Sequence, residues 1–189
     1  MKPAIPVILY CLFIAGCNNK KNNINNADIT KPANFFPVTS YIKGQITEIK
    51  EKGITPLKKI KINDHVDSAW LKIEDLEKEM EEFLTPVIDT NNLTNYFEET
   101  KFNDQTINAF TFTYNPIKKL PDSLYLNHWD VYVDPDKNTI RKIYMVKKYP
   151  DKIVQLTWYS NRYCLIVTIQ ENEKGISIVL KEEKITWEF

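Results

Sequence analysis

Glycine is scarce in this chain of 189 residues: only Gly16, Gly44, Gly53 and Gly175 occur. No two lie close enough to form a GxGxxG turn or a phosphate-cradling loop, which excludes nucleotide folds built on those motifs. Histidine is scarcer still. His65 and His128 stand far apart, in neither an HExxH nor an HxH pattern, and a histidine-based zinc site needs more neighbours. A charge excess is also missing: 25 basic residues balance 25 acidic ones. A nucleic-acid partner is therefore not expected, because displacing counterions from phosphates takes a basic surplus. No cofactor or metal is expected either.

What is present begins with an address. Lys2 precedes an apolar run of 12 residues, Ala4 to Ala15, broken only by Pro6. A bilayer span takes about 20 residues, so this run has the length of a signal-peptide core. It ends Ile14-Ala15-Gly16-Cys17. These four residues resemble the lipobox of bacterial lipoproteins at every position. The resemblance implies cleavage before Cys17, acylation of Cys17 and a membrane anchor of more than one acyl chain. Each buried CH₂ adds about 0.8 kcal/mol to such an anchor. Asn18, where retained lipoproteins often carry Asp, points to the outer membrane. The basic pair Lys20-Lys21, in place of an acidic stretch, points to its periplasmic side.

Cysteine is then nearly exhausted. Cys11 leaves with the signal, Cys17 takes lipid and only Cys164 remains, so no internal disulfide forms. Cys164 lies in the apolar run Tyr163–Val167 and reads as a small buried hydrophobe.

Residues 17–34 form a lipidated cysteine and a tether. Of the 17 residues after Cys17, seven are Asn, and only Ile24 and Ile29 are large and apolar. Such a segment cannot bury enough to offset its ordering entropy, and as a coil it reaches about 20–25 Å. Residues 35–189 form a single domain, long enough to bury about 70% of its unfolded surface.

Within that domain a helix is expected from Pro37 to Gly53, on the spacing of Val38, Ile42, Ile46 and Ile49. Residues 57–62 read as an edge strand. A second helix is expected over 72–85, with the stripe Ile73, Leu76, Met80, Phe83 and Leu84 and a solvated acidic face. A short third helix fits Leu93–Glu99. From residue 106 the period becomes two, with strands at 106–114, 128–133, 140–147, 153–159, 162–170 and 175–180. Residues 185–189 continue the last of these. The fold class is α+β: about six antiparallel strands in a meander, strongly curved, with two to three N-terminal helices on one face.

Several strands are apolar on both sides. Strand 163–169 sets Tyr163, Leu165, Val167 and Ile169 against Cys164 and Ile166. Helices cover one face. The other must curl on itself, meet a partner or enclose a ligand. Phe110, Phe112, Trp158, Leu165 and Val167 are the candidate lining of an apolar cavity or binding surface.

Motifs for chemistry are thin. Asp134-x-Asp136-x-Asn138 copies the start of a calcium loop, but Thr139 stands where glycine is needed and Met145 where the closing Glu belongs. It reads as a turn. Ser40-x-x-Lys43 matches the SxxK of penicillin-binding enzymes without their Lys-Thr-Gly. No catalytic residue is assigned. The expected role is a non-enzymatic binding or envelope-interaction module, anchored to the outer membrane and facing the periplasm, with a protein partner or an acyl-chain ligand. The first alternative is a lipid or lipoprotein carrier with an apolar cavity in a curved sheet, by analogy of architecture alone. The second is a hydrolase.

Overall fold

The computed structural model describes residues 34–171 and 175–188. The chain divides into Met1–Lys31 and Pro32–Phe189. Among the described residues every buried core residue falls in the second unit, which therefore carries a core of its own. The expected signal segment, Cys17 and the expected tether up to residue 33 lie outside the described residues.

Helix α1 spans Val38–Glu51 and buries Val38, Ile42, Ile46 and Ile49, the predicted stripe. Gly53 stops it at φ +64, where a Cβ would be strained. Strands β1 (Leu57–Ile62) and β2 (His65–Trp70) form a hairpin. A 3₁₀ turn (Ile73–Asp75) then leads into α2 (Leu76–Glu79) and α3 (Glu81–Leu84). The expected continuous helix over 72–85 is thus three short pieces. Met80, at φ −106 and ψ 12, breaks the hydrogen-bond ladder between α2 and α3. The expected third helix is absent: Phe97 opens strand β3 (Phe97–Asp104) instead. Strands β4 (Ala109–Pro116), β5 (Leu126–Asp134), β6 (Thr139–Lys148), β7 (Ile153–Tyr159), β8 (Tyr163–Glu171) and β9 (Ser177–Thr186) complete the chain. The segment 175–180 and the start of 185–189 are one strand, β9.

All nine strands join one antiparallel sheet in the order β2-β1-β9-β8-β7-β6-β5-β4-β3. The meander is as expected, but it has nine strands rather than about six and is mostly β with minor helix. Nor is the sheet strongly curled. Its two outer strands, β2 and β3, do not pair. Both resist closure. β3 carries Glu98, Glu99, Lys101 and Asp104, and β2 is exposed along its whole length. Charged, solvated edges of this kind discourage further pairing.

The helices cover one face, called here the front. Between the helices and the sheet two aromatic groups fill the layer. Trp129 stacks on Tyr114 at 4.5 Å and 8°, with Phe35 and Phe97 meeting its ring edge-on. Trp158 meets Phe83 at 5.4 Å and Trp187 at 4.9 Å. Thr39 ties α1 to the loop after α3, since its hydroxyl accepts from Ile88 N at 2.8 Å.

Candidate functional site

The opposite face of the sheet has no layer over it among the described residues, and the strand register shows how it is built. On antiparallel strands, directly paired residues share a face. Tyr132, Lys142, Tyr159 and Tyr163 are successive partners across β5, β6, β7 and β8. One step along the strands, Thr113, Asp130, Tyr144, Thr157, Leu165 and Lys184 form a second row. A third row holds His128, Val146, Gln155, Val167 and Glu182. Neighbouring strands lie about 4.8 Å apart, so the tyrosine row alone spans roughly 14 Å over its four strands.

This bare face is a mosaic. Its apolar bodies are tyrosine rings, Val146, Leu165 and Val167; its polar groups are hydroxyls, an amide, an imidazole, two carboxylates and ammonium ions. The rings of Tyr159 and Tyr163 lie 4.6 Å apart. Lys142 Nζ sits 3.8 Å above Tyr132, and Lys184 Nζ lies 4.2 Å above Tyr163. Such cation–π pairs let a lysine stem cover an aromatic surface while its charge stays wet. A mosaic can face water without curling, and this is why the sheet stays open where alternation alone suggests two apolar faces.

Asp130 is the buried carboxylate of the face, 7% exposed. It accepts from Thr113 Oγ1 at 2.6 Å and Tyr132 Oη at 3.4 Å, and His128 Nε2 lies 3.3 Å away. Burial, the largest single influence, opposes its charge. The bonds from His128 and Thr113 and the pull of His128 together outweigh burial and hold the carboxyl below its ordinary value. In turn, burial and the Asp130 charge push Tyr132 up to about 12. Because the folded state depresses Asp130, its contribution to stability is complete above pH 3.8 and is lost as pH falls through the lower, folded value. Asp130→Asn is therefore expected to flatten the stability-against-pH curve below pH 3.8. Urea unfolding from pH 2 to pH 6 measures this; an unchanged acid slope removes the cluster's role.

The five candidate residues divide between two faces and the core. Leu165 and Val167 stand on the bare face. Trp158 is fully buried in the front core. Phe110 and Phe112 line an open groove on the front, between α1 and the hairpin turns. The structure therefore brings Phe110 and Phe112 together, and Leu165 and Val167 together, but not all five. The tyrosine row and Asp130 were missed by sequence reading. The signal for them is register, which becomes visible only when strand ends are known to a residue.

The remaining motifs are structural. Asp134 Oδ1 accepts from the amides of Asp136 and Lys137, so the calcium-like segment is a turn, with Asn138 at φ 51. Burial pushes the Cys164 thiol well up, away from thiolate reactivity. The acidic stretch 74–82 is spent on ties to the rest of the fold: Lys50–Glu77 at 2.6 Å, Lys58–Glu79 at 2.6 Å and Lys147–Glu82 at 2.6 Å. Among the described residues no group of three or more His, Cys, Asp or Glu side chains is placed to hold a metal ion. Nor is any helix long and apolar enough to cross a membrane. No family model matches the chain, nor does any curated protein or solved structure.

Proposed function

We propose that this chain is a non-enzymatic binding module of the bacterial cell envelope, held to the outer membrane through lipid on Cys17, facing the periplasm and presenting its bare sheet face to a partner. One observation carries the reading. Nine strands with helices on a single side leave three registered rows of tyrosine, leucine, valine, threonine and lysine in contact with water. Tyrosine offers a large, rigid, amphipathic contact area at low entropy cost, which suits recognition surfaces. The anchor rests on the lipobox resemblance and the Asn-rich tether, which would let the face turn toward a partner near the membrane.

The test is made in a diderm bacterium carrying the full chain. A photo-crosslinking residue is placed at Leu165 or Val167 on the bare face, or at Lys78 on the helix side as control. Adducts from the two sheet positions and none from Lys78 are expected. Equal adducts at all three positions, or none, would overturn the reading. In the same cells, Cys17→Ala should abolish palmitate labelling and release the chain from the membrane fraction. Full labelling of Cys17→Ala would refute the anchor.

A further inference from the structure

The groove that holds Phe110 and Phe112 lies on the other side of the sheet, and nothing in the bare-face reading depends on it. It has a volume of about 1250 Å³, larger than the roughly 300–1,000 Å³ of sites for drug-sized ligands. One wall is the Tyr41–Gln45 side of α1. The facing wall is the β5–β6 and β7–β8 turns. The walls are fastened to each other: Tyr41 Oη and Ser160 Oγ lie 2.7 Å apart, and Asn161 N donates to Gln45 Oε1 at 3.0 Å. Phe110, Phe112, Val133 and Ile140 make an apolar strip between them. Phe110 is 44% exposed.

The rim is cationic. Lys137, Arg141 and Arg162 border the strip, and among the described residues none of them is in an ion pair. Arg141 donates to neutral carbonyls, Ile107 O at 2.8 Å and Asn108 O at 3.5 Å, so its position is held while its charge is left unbalanced. Arg162 rests beside the Tyr163 ring at 5.9 Å. The one carboxylate of the lining, Asp134, is engaged by the amides of its own turn, and Asp136 next to it takes the Asn108 side chain.

We infer that this groove binds a single-chain anionic lipid of the fatty-acid class, its acyl chain lying along Phe110, Phe112, Val133 and Ile140 and its carboxylate meeting the Arg141–Arg162–Lys137 rim. Two features select this occupant over an acidic peptide. Ser160 and Gln45 are already spent on joining α1 to the turn, and the apolar strip itself offers no partner to a peptide backbone, whereas an acyl chain needs none. There is one apolar strip between polar walls, which matches a ligand with a single chain. The rim charge supplies the sign.

The test uses the 32–189 unit, which has its own core, and dodecanoate below its micelle concentration. Dodecyltrimethylammonium, with the same chain length and the opposite charge, is the comparison. Calorimetry and native mass spectrometry are expected to show one dodecanoate per chain, bound at least about tenfold more tightly than the cation, a difference of about 1.4 kcal/mol. Lys137→Glu with Arg162→Glu should remove that preference, most visibly at low salt. Phe110→Ser should weaken both ligands with the unfolding midpoint unchanged, whereas Leu165→Ser on the bare face should change neither. Absence of dodecanoate uptake, equal uptake of both ligands by the parent protein, or loss through Leu165→Ser rather than Phe110→Ser would overturn the inference. The crosslinking result at Leu165 and Val167 stands or falls separately.

Discussion

Trp158→Ala is expected to lower the unfolding free energy by about 3–5 kcal/mol, the range for truncating a buried large aromatic. The indole is 0% exposed and wedged between Phe83 and Trp187. Its removal discards those ring contacts and leaves a void that strands β6 and β8 cannot close, because each is held by its own ladder. Trp158→Phe should behave differently. Among the described residues the indole Nε1 has no hydrogen-bond partner, and the same is true of Trp129 and Trp187. A buried donor left unpaired costs about 1–3 kcal/mol, so phenylalanine loses volume but also sheds that penalty. The expected net loss is about 1 kcal/mol or less. Urea unfolding of the two variants decides the matter. Were Trp158 the wall of an open cavity, alanine would cost well under 1 kcal/mol, and the gap between the two variants would vanish.

The Trp158 case shows where reading by alternation ran out. Strand 153–159 was legible as a strand, and so were the meander, the long β9 and the apolar stripe of α1, because periodicity and turn residues mark them directly. The role of Trp158 was not. Alternation assigns Trp158 and Leu165 each to a side of its own strand but does not say which sides coincide. Register does: Trp158 pairs with Cys164 and so faces the helices, while Leu165 pairs with Thr157 on the bare side. The two edge strands were missed for a different reason. β2, His-Val-Asp-Ser-Ala-Trp, is exposed throughout, and β3 mixes Glu98, Glu99 and Lys101 with Phe97 and Phe102, so neither shows a core-facing pattern. Pairing holds them in the sheet, and pairing is a property of neighbours. The same limit applies to curvature. The apolar count of β7 and β8 predicts two dry faces, whereas the cross-strand neighbours Thr113, Lys142, Gln155 and Lys184 make one of those faces tolerant of water.

Lys147 carries the second large effect, and its two partners should not respond alike. Its side chain is 2% exposed, on the front face of β6 beside Val154. The ammonium donates to Glu82 O at 2.5 Å and Glu82 Oε2 at 2.6 Å, and Tyr149 Oη donates to the same carboxylate at 3.2 Å. Burial presses the Lys147 pKa below 10.5, and Glu82 only partly restores it. Glu82, by contrast, keeps 41% of its side chain in water. Glu82→Ala therefore strands a buried ammonium on one carbonyl, at an expected cost of about 3 kcal/mol. Lys147→Met removes the charge that burial penalises, and its carboxylate partner stays hydrated and bonded to Tyr149. The expected change is within about 1 kcal/mol, in either direction. The pH dependence gives an independent check. With a depressed folded pKa, the folded state sheds this proton before the unfolded chain does. Lys147 therefore makes stability rise with pH between that depressed value and 10.5. Lys58 acts in the opposite sense: burial lowers its pKa too, but the hydrogen bonds and charges of Glu79 and Glu183 together outweigh burial and raise it, so its contribution fades as pH climbs past 10.5. The difference between parent and Lys147→Met curves isolates the first of these. It should open on the alkaline side and be flat near neutrality. If Lys147→Met costs as much as Glu82→Ala, or the two curves run parallel up to 10.5, the ammonium is not the strained partner and the tie between α3 and β6 draws its strength from the pair itself.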